Sequence, residues 1–252
     1  KTAKFIEKMY LDTTKGNGNV FGSAYKLGEL YSKTNIPSPV YGLNVLVKDK
    51  INKFLIENDY DLAIGTHLFP CLALTKLKKE EPIHFINVAT DYACIPFWEE
   101  TNPDAFVIPS VLLREEFVKK GIPGEVILPF GIPVATTFIN ARVAEDLPKD
   151  KDIVLIASGS MGFGDLRRVV LNLLSQIPDV YFVVVCGNNK KLEEDLKTIN
   201  NPNLIVRGFI KNMNEYIKSS KIVVTKPGGL TTTEVAVMNK PLIHINPIPG
   251  VE

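Results

Sequence analysis

The sequence predicts an α/β protein made of two domains, each built around a mostly parallel sheet. Short β-branched runs alternate with helical patterns along most of the chain, which is typical of βαβ units. The runs are apolar at nearly every position, as expected for strands covered on both faces. A polar pause between Pro133 and Pro148 separates two such series, so we predict domains at residues 1–140 and 141–252.

Nine strands are predicted, at residues 61–65, 83–89, 105–109, 125–129, 152–158, 180–186, 203–208, 221–225 and 241–245. His84 and His244 lie inside two of these apolar runs and are expected to be core residues. The clearest helix is predicted from Leu166 to Ile177, where apolar residues recur every three or four positions until Pro178 ends the pattern. Residues 1–60 instead indicate helices and loops without an opening strand. We therefore expect the first βα unit, and a segment at the C-terminal end, to be missing from this sequence.

Composition narrows the function classes. With 45% hydrophobic and 23% charged residues the chain is an ordinary globular protein, and a net charge of +1 gives no general attraction to nucleic acid or an anionic membrane. Cys71, Cys94 and Cys186 are too far apart for a zinc site and odd in number, which fits a reducing cytoplasm. No apolar run approaches the roughly 20 residues that span a bilayer, so any membrane association is predicted to be peripheral.

Three loops after predicted strands could hold a ligand. The turn with Gly159, Ser160 and Gly162 lies between a strand and a helix, but its spacing matches neither a dinucleotide fingerprint nor a P-loop. The segment 225–234 contains a glycine pair that lets a phosphate approach the main chain at a helix start. Judged from this segment alone, the same residues are also typical of an ordinary helix start capped by threonine side chains. The third loop, 246–252, follows the last strand and is locally as consistent with a surface turn.

Taken together, four segments carry a resemblance: ASGSMGFG, FVVVCGNNKKLEEDL, VRGFIKNMNEYIKSSKIVVTKPGGLTTTEVAV and PLIHINPIPGVE. In this order and spacing they resemble the diacylglycerol glycosyltransferases. These include the processive bacterial glucosyltransferases and the plant monogalactosyldiacylglycerol synthases, which are related to the peptidoglycan enzyme that adds N-acetylglucosamine to lipid I. The resemblance is close over residues 152–252 and looser in the first half, at Thr90–Trp98 and at Pro129–Val134.

The resemblance implies a GT-B fold, with two Rossmann-like domains facing a cleft. The second domain would hold a UDP-sugar and the first a lipid acceptor. Phe209 and Ile210 would border the uracil, and Glu234 would accept the ribose hydroxyls. The other residues placed at this site by the resemblance are Gly159, Ser160, Gly162, Asn189, Lys226, Gly228, Gly229, Leu230, Thr231 and Glu252. Val251 stands where the family usually has Gln, which leaves the sugar preference open.

The catalytic base is not evident from the sequence. The resemblance implies a His in a glycine-rich loop after the first strand, but the glycine-rich segment 16–19 has no His and no preceding strand. We attribute this absence to the missing βα unit. His67 and Asp91 end neighbouring strands and are the remaining candidates, although a polar residue there is often only a cap. Asp59-Tyr60-Asp61 has the form of DxD, the metal-binding motif of the other large glycosyltransferase class, but it precedes its strand instead of ending one. No metal or other cofactor is therefore expected.

The function implied is a metal-independent, inverting transfer of a hexose from a UDP-sugar to diacylglycerol or to the glycolipid product. The protein is expected in the cytoplasm, peripherally on the inner face of the cell membrane, without a nucleic-acid partner. Three alternatives stay open. They are transfer of N-acetylglucosamine to a polyprenyl-linked acceptor, a sugar-nucleotide epimerase of the same fold, and a binding module without activity.

Overall fold

The structure of the protein is a computed structural model that describes residues 47–157 and 166–245, together with Gly28, Ser38 and Gly42. Within these residues each of the predicted strands is present. They are β1 (Leu62–Gly65), β2 (His84–Val88), β3 (Ala105–Val107), β4 (Ile127–Leu128), β5 (Ile153–Ala157), β6 (Tyr181–Val185), β7 (Leu204–Arg207), β8 (Ile222–Thr225) and β9 (Leu242–His244). β4 is shorter than predicted because Gly124–Val126 forms a 3-10 turn before it.

Helices alternate with these strands. They are α1 (Lys48–Glu57), α2 (Leu68–Leu77), α3 (Arg114–Lys119), α4 (Thr136–Ile139), α5 (Leu166–Gln176), α6 (Lys190–Lys197), α7 (Met213–Ser219) and α8 (Gly229–Val237), with further 3-10 turns at Trp98–Glu100 and Val111–Leu113. Helix α5 buries Leu166, Val170 and Leu174, which confirms the helix predicted from the periodicity. Among the helices within the described residues, none is long and apolar enough to cross a membrane.

The chain divides between Ile132 and Pro133 into two compact units. The sheet of the first unit has the order β1-β2-β3-β4 and that of the second β7-β6-β5-β8-β9, and all neighbouring strands are parallel. The division precedes the expected boundary at residue 140 because α4 packs within the second unit. There Phe138 contacts the core, and the Asn214 side-chain amide donates to the Thr137 carbonyl at 3.0 Å.

The second sheet is covered on both faces, as its apolar runs predict, whereas Leu62 and Ile64 of β1 in the first sheet are exposed among the described residues. In the second unit, successive residues of one strand belong to different cores: Leu155 lies in one cluster and Ile156 in the other. The same alternation separates Val183 from Val184 and Val223 from Val224. The described residues of the first unit form one core, in which the Phe106 ring meets those of Trp98 and Phe117 edge to face, at centroid distances of 5.1 and 5.7 Å.

The expectation that His84 and His244 are core residues was wrong. The His84 side chain is 74% exposed, with Nδ1 3.4 Å from the Asp104 carboxylate, and His244 is also exposed. Each stands at the end of its strand, His84 first in β2 and His244 last in β9, which is an edge strand of its sheet. The apolar pattern around them marked the strands correctly but carries no information about where burial stops.

Candidate functional site

The carboxyl ends of all five strands of the second sheet fall in one row of register partners. From β7 to β9 the row consists of Arg207, Val185, Ala157, Thr225 and His244. From β5 the strands are added in chain order towards one edge of the sheet, as β6 and then β7. The next strands, β8 and β9, lie on the other side of β5, so the direction of strand order reverses between β5 and β8. Open α/β sheets bind ligands outside the carboxyl ends at such a reversal. The predicted glycine turns at 159–162 and 226–229 both follow strands that flank it.

The turn after β8 leaves backbone amides without acceptors. Helix α8 has Gly228 as its N-cap, and no side chain caps it, so the threonine-capped helix start is not what the structure shows. The Gly228 amide donates within the turn to the Lys226 carbonyl at 2.8 Å. The amides of Gly229, Leu230 and Thr231 have no hydrogen-bond acceptor among the described residues. Three N–H groups and the positive end of the helix dipole are therefore available to an anion.

Glu234 lies one turn further along α8, at the predicted ribose position. Its side chain is half-buried, and burial raises the pKa of the carboxyl above its ordinary value of 4.5. No cation or hydrogen-bond donor contacts it within the described residues. A half-buried carboxylate without a partner costs stability, and two vicinal hydroxyl groups would supply the donors it lacks.

The segment after β7 carries the two residues predicted to border a base. The Phe209 side chain is 59% exposed, whereas Ile210 packs against the core of the second unit. The strand end before them is fixed by Arg207, whose guanidinium lies 3.1 Å from the Asp146 carboxylate. The Tyr216 hydroxyl donates to the same carboxylate at 2.6 Å. A rigid strand end therefore presents an exposed aromatic ring.

Gly208 lies close to a side chain from α6, a contact that the sequence does not reveal. A Cβ atom at this position would lie 2.6 Å from Oε2 of Glu193 on α6. That carboxylate is held in place, since Lys190 donates to it at 3.0 Å and Lys197 at 2.7 Å. These hydrogen bonds, that from Lys197 foremost, keep the pKa of Glu193 below its ordinary value. The carboxylate thus occupies the space that a side chain at position 208 would need, directly before Phe209.

Gly208→Ala is expected to lower stability by about 1–2 kcal/mol and to weaken UDP binding, because the added methyl group must displace Glu193 or the backbone before Phe209. Thermal unfolding and titration calorimetry with UDP measure the two effects. Adding Glu193→Ala to this variant should restore both. Gly124→Ala is the matched control, since its Cβ would meet only ordinary contacts at 3.7 Å. Equal losses in the single and double variants would contradict the steric explanation.

Asn189 is the N-cap of α6, where its side-chain oxygen accepts from the Leu192 amide at 3.0 Å. It follows β6 at the carboxyl edge of the sheet, where it caps α6, and its binding of a sugar nucleotide stays a prediction. Gly159, Ser160, Gly162 and Glu252 lie outside the described residues, so their predicted contacts with a sugar nucleotide stay predictions.

In the first unit, His67 and Asp91 follow the neighbouring strands β1 and β2 at the carboxyl edge. His67 is the N-cap of α2, and its Nδ1 accepts from the Phe69 amide at 3.3 Å. Burial lowers the pKa of His67, and the charge of Asp91 opposes this effect. An imidazole that accepts at Nδ1 carries its own proton on Nε2, so the free nitrogen donates. Of the two candidates, Asp91 is therefore the better placed to accept a proton.

Sequence comparison relates both halves of the chain to glycosyltransferases. Residues 2–134 match the family model of monogalactosyldiacylglycerol (MGDG) synthase, and residues 153–249 match that of the glycosyltransferase family 28 C-terminal domain. Processive diacylglycerol beta-glucosyltransferases of Bacillus cereus (strain G9842) and Bacillus thuringiensis (strain Al Hakam) are each 33% identical over 204 residues. These alignments cover 76% of this chain and 52% of each relative, so the chain spans about half the length of the curated relatives it matches.

Solved structures show the same fold. A glycosyltransferase from Rickettsia africae ESF-5 has a TM-score of 0.55 at 17% identity, covering 83% of this chain and 63% of that one. The S. aureus MnaA-UDP co-structure has a TM-score of 0.58 at 15% identity, with coverages of 82% and 64%. Anabaena Alr3699/HepE in complex with UDP has a TM-score of 0.54 at 12% identity, with coverages of 79% and 62%. This likeness confirms the predicted α/β fold class of the GT-B type.

The site geometry and the sequence comparison concern the same part of the chain. A glycine turn with free amides ends the strand at the sheet reversal, inside the part matched by the family 28 model. The MGDG synthase model covers more than half of the 252 residues, from residue 2 to residue 134. On this match, the chain belongs to the monogalactosyldiacylglycerol (MGDG) synthase family.

Proposed function

We propose that this protein transfers a hexose from a UDP-sugar to diacylglycerol, or onward to the glycolipid product, without a metal ion. The proposal rests chiefly on the start of α8 at the sheet reversal, where three adjacent amides have no acceptor among the described residues and could therefore bind an anion. A diphosphate leaving group needs stabilisation of this kind, because negative charge builds on it as the sugar departs. Its proposed location is the cytoplasmic face of the membrane.

The spacing of the second sheet suits a nucleoside diphosphate. Phe209 follows β7 and the glycine turn follows β8, which lie three strand spacings apart in the sheet. At about 4.8 Å per spacing this is roughly 14 Å, a separation that an extended UDP can bridge. Glu234 lies on the helix that begins at the phosphate end, with a carboxylate ready for the ribose hydroxyls. Two proteins of the same fold, MnaA and HepE, have been solved with UDP, which supports the same ligand class here.

The proposed reaction is a direct displacement at the anomeric carbon. The acceptor hydroxyl oxygen forms a bond to this carbon while the bond to the distal phosphate oxygen breaks, and the electron pair stays on UDP. The hydroxyl proton passes to a base, for which Asp91 is the candidate in this chain. Attack opposite the leaving group inverts the anomeric configuration. The amides of α8 stabilise the charge on the departing diphosphate.

Apolar side chains support a lipid acceptor in the first unit. An exposed apolar residue follows each of its four strands: Phe69 after β1, Tyr92 after β2, Leu112 after β3 and Phe130 after β4. Because the strands are parallel, all four lie beyond the same edge of the sheet. Leu112 is 88% exposed and Phe130 77%, which is unusual for side chains of this size. Exposed apolar surface that gathers at one edge is typical of a lipid or partner site.

Leu112→Gln is expected to reduce binding to vesicles of phosphatidylcholine and diacylglycerol several-fold, since it removes apolar surface that would enter the lipid. Co-sedimentation with the vesicles measures the bound fraction. The matched control is Ile56→Gln, in a side chain that is 71% exposed on α1, ahead of β1 and away from the carboxyl edge. UDP affinity should be unchanged in both variants. Equal binding of the two variants to vesicles would argue against a lipid site at this edge.

The function itself is tested with UDP-glucose, UDP-galactose and UDP-N-acetylglucosamine, each offered with diacylglycerol vesicles and analysed by mass spectrometry of the lipids. A hexosyl-diacylglycerol product is the expected result. A change of the sugar nucleotide without any acceptor would indicate an epimerase, and a product formed only with a polyprenyl-linked acceptor would indicate the N-acetylglucosamine transferase. UDP binding without turnover would indicate a binding module. Absence of UDP binding would overturn the assignment of the site.

A further inference from the structure

His244 lies beside the first turn of α8, where the diphosphate is proposed to bind. It is the last residue of β9 and the register partner of Thr225, the residue that leads into the glycine turn. Its Nε2 lies 3.1 Å from the Thr232 hydroxyl oxygen on α8. The Thr232 amide in turn donates to the Gly228 carbonyl at 3.0 Å, so the imidazole is linked to the first turn of this helix.

The order of the strands places His244 on the sugar side of the site, because β9 lies next to β8, on the side away from β7 and Phe209. If the uracil lies near β7 and the diphosphate at β8, the strand beyond β8 meets the distal phosphate. The His244 ring is exposed, and its Nδ1 has no partner among residues 47–157 and 166–245. One nitrogen is therefore anchored on the helix while the other is open to a ligand.

We propose that His244, in its protonated form, donates from Nδ1 to the distal phosphate of the UDP-sugar and keeps Nε2–H bonded to Thr232. The inference rests on the proposed function, since it assumes the diphosphate at α8. Protonation gives the ring two donors, and a charge-assisted hydrogen bond to phosphate is about twice as strong as a neutral one. His244 thus adds a cation beside the backbone amides at the start of α8, and it strengthens binding of the leaving group.

Few other charged groups lie near β9, and none of them is expected to produce the same pH dependence of binding as His244. Helix α8, which packs on β9, contributes Glu234, and the turn before it contributes Lys226. Strand β8 carries no ionisable side chain. Lys240 lies before the other end of β9, where its Nζ donates to the carbonyls of Lys218 and Ser220. Glu234 acts in the opposite sense, because its protonation weakens its bonds to ribose.

The test is the pH dependence of UDP-glucose binding, measured by titration calorimetry from about pH 8 to about pH 6. Affinity of the unmodified protein should rise about fivefold as the pH falls, because Nδ1 carries a proton for the phosphate only in the protonated ring. His244→Gln keeps an amide able to bond Thr232 but cannot be protonated. Its affinity should equal that of the unmodified protein at high pH and stay constant as the pH falls.

His84→Gln is the matched control, an exposed histidine at the start of β2 in the other unit, and it should keep the full pH dependence. The same slope in His244→Gln and in the unmodified protein would overturn the role of His244 and leave the UDP site standing. A flat profile in the unmodified protein, with UDP-glucose still bound, would do the same. If UDP-glucose does not bind at any pH, the proposed function fails together with this inference.

Discussion

Glu234→Ala is expected to weaken UDP binding roughly 100-fold, which corresponds to about 3 kcal/mol. The carboxylate has no partner among the described residues, so it is available to accept both ribose hydroxyls, and each bond to a charged acceptor is stronger than a neutral one. Titration calorimetry with UDP measures the loss. Glu194→Ala removes an exposed carboxylate from α6 and should leave UDP binding unchanged. An unchanged dissociation constant in Glu234→Ala would exclude the ribose assignment.

The Glu234 carboxyl group should also affect how the stability of the protein depends on pH. Burial raises its folded-state pKa above the ordinary 4.5, so the stability it contributes is present below that value and is lost as the pH rises through the raised pKa. At neutral pH Glu234→Ala is therefore expected to unfold at a temperature no lower than the unmodified protein. A variant that loses UDP affinity without losing stability separates a binding role from a structural one.

Leu230→Pro is expected to weaken UDP binding about 30-fold, because it removes one of the three free amides at the start of α8. Proline is tolerated in the first turn, where the N–H has no partner inside the helix. The Leu230 side chain is 55% exposed, so its loss alone should cost little. Titration calorimetry with UDP and thermal unfolding are the measurements.

Leu230→Ala is the matched control for this proline variant. It removes the same apolar side chain and keeps the amide, so it should bind UDP as the unmodified protein does. The difference between the two variants isolates one N–H group. If they bind UDP equally well and unfold at similar temperatures, the amides of α8 do not hold the diphosphate, and the central assignment of the site is lost.

The strands could be predicted from the sequence because each is a short apolar run bounded by polar or turn residues, and tertiary packing reinforces that local preference. The glycine turn could be predicted for a similar reason, since Gly228 and Gly229 directly follow an apolar strand. The exposure of His84 and His244 could not, because burial at a strand end depends on which element covers it. The contact of Gly208 with Glu193 depends on how α6 packs beside the end of β7, and it leaves no local pattern in the sequence.

By itself, the sequence determined the fold class, the succession of strands and the glycine turn after β8, because these depend on local periodicity and turn chemistry. Only the tertiary structure decided which strand ends share one row, that the Gly228 amide is used inside its own turn, and that Thr232 meets His244. Strand order and register are settled by packing between distant segments. The neighbours of a side chain at a sheet edge therefore follow from the assembled sheet.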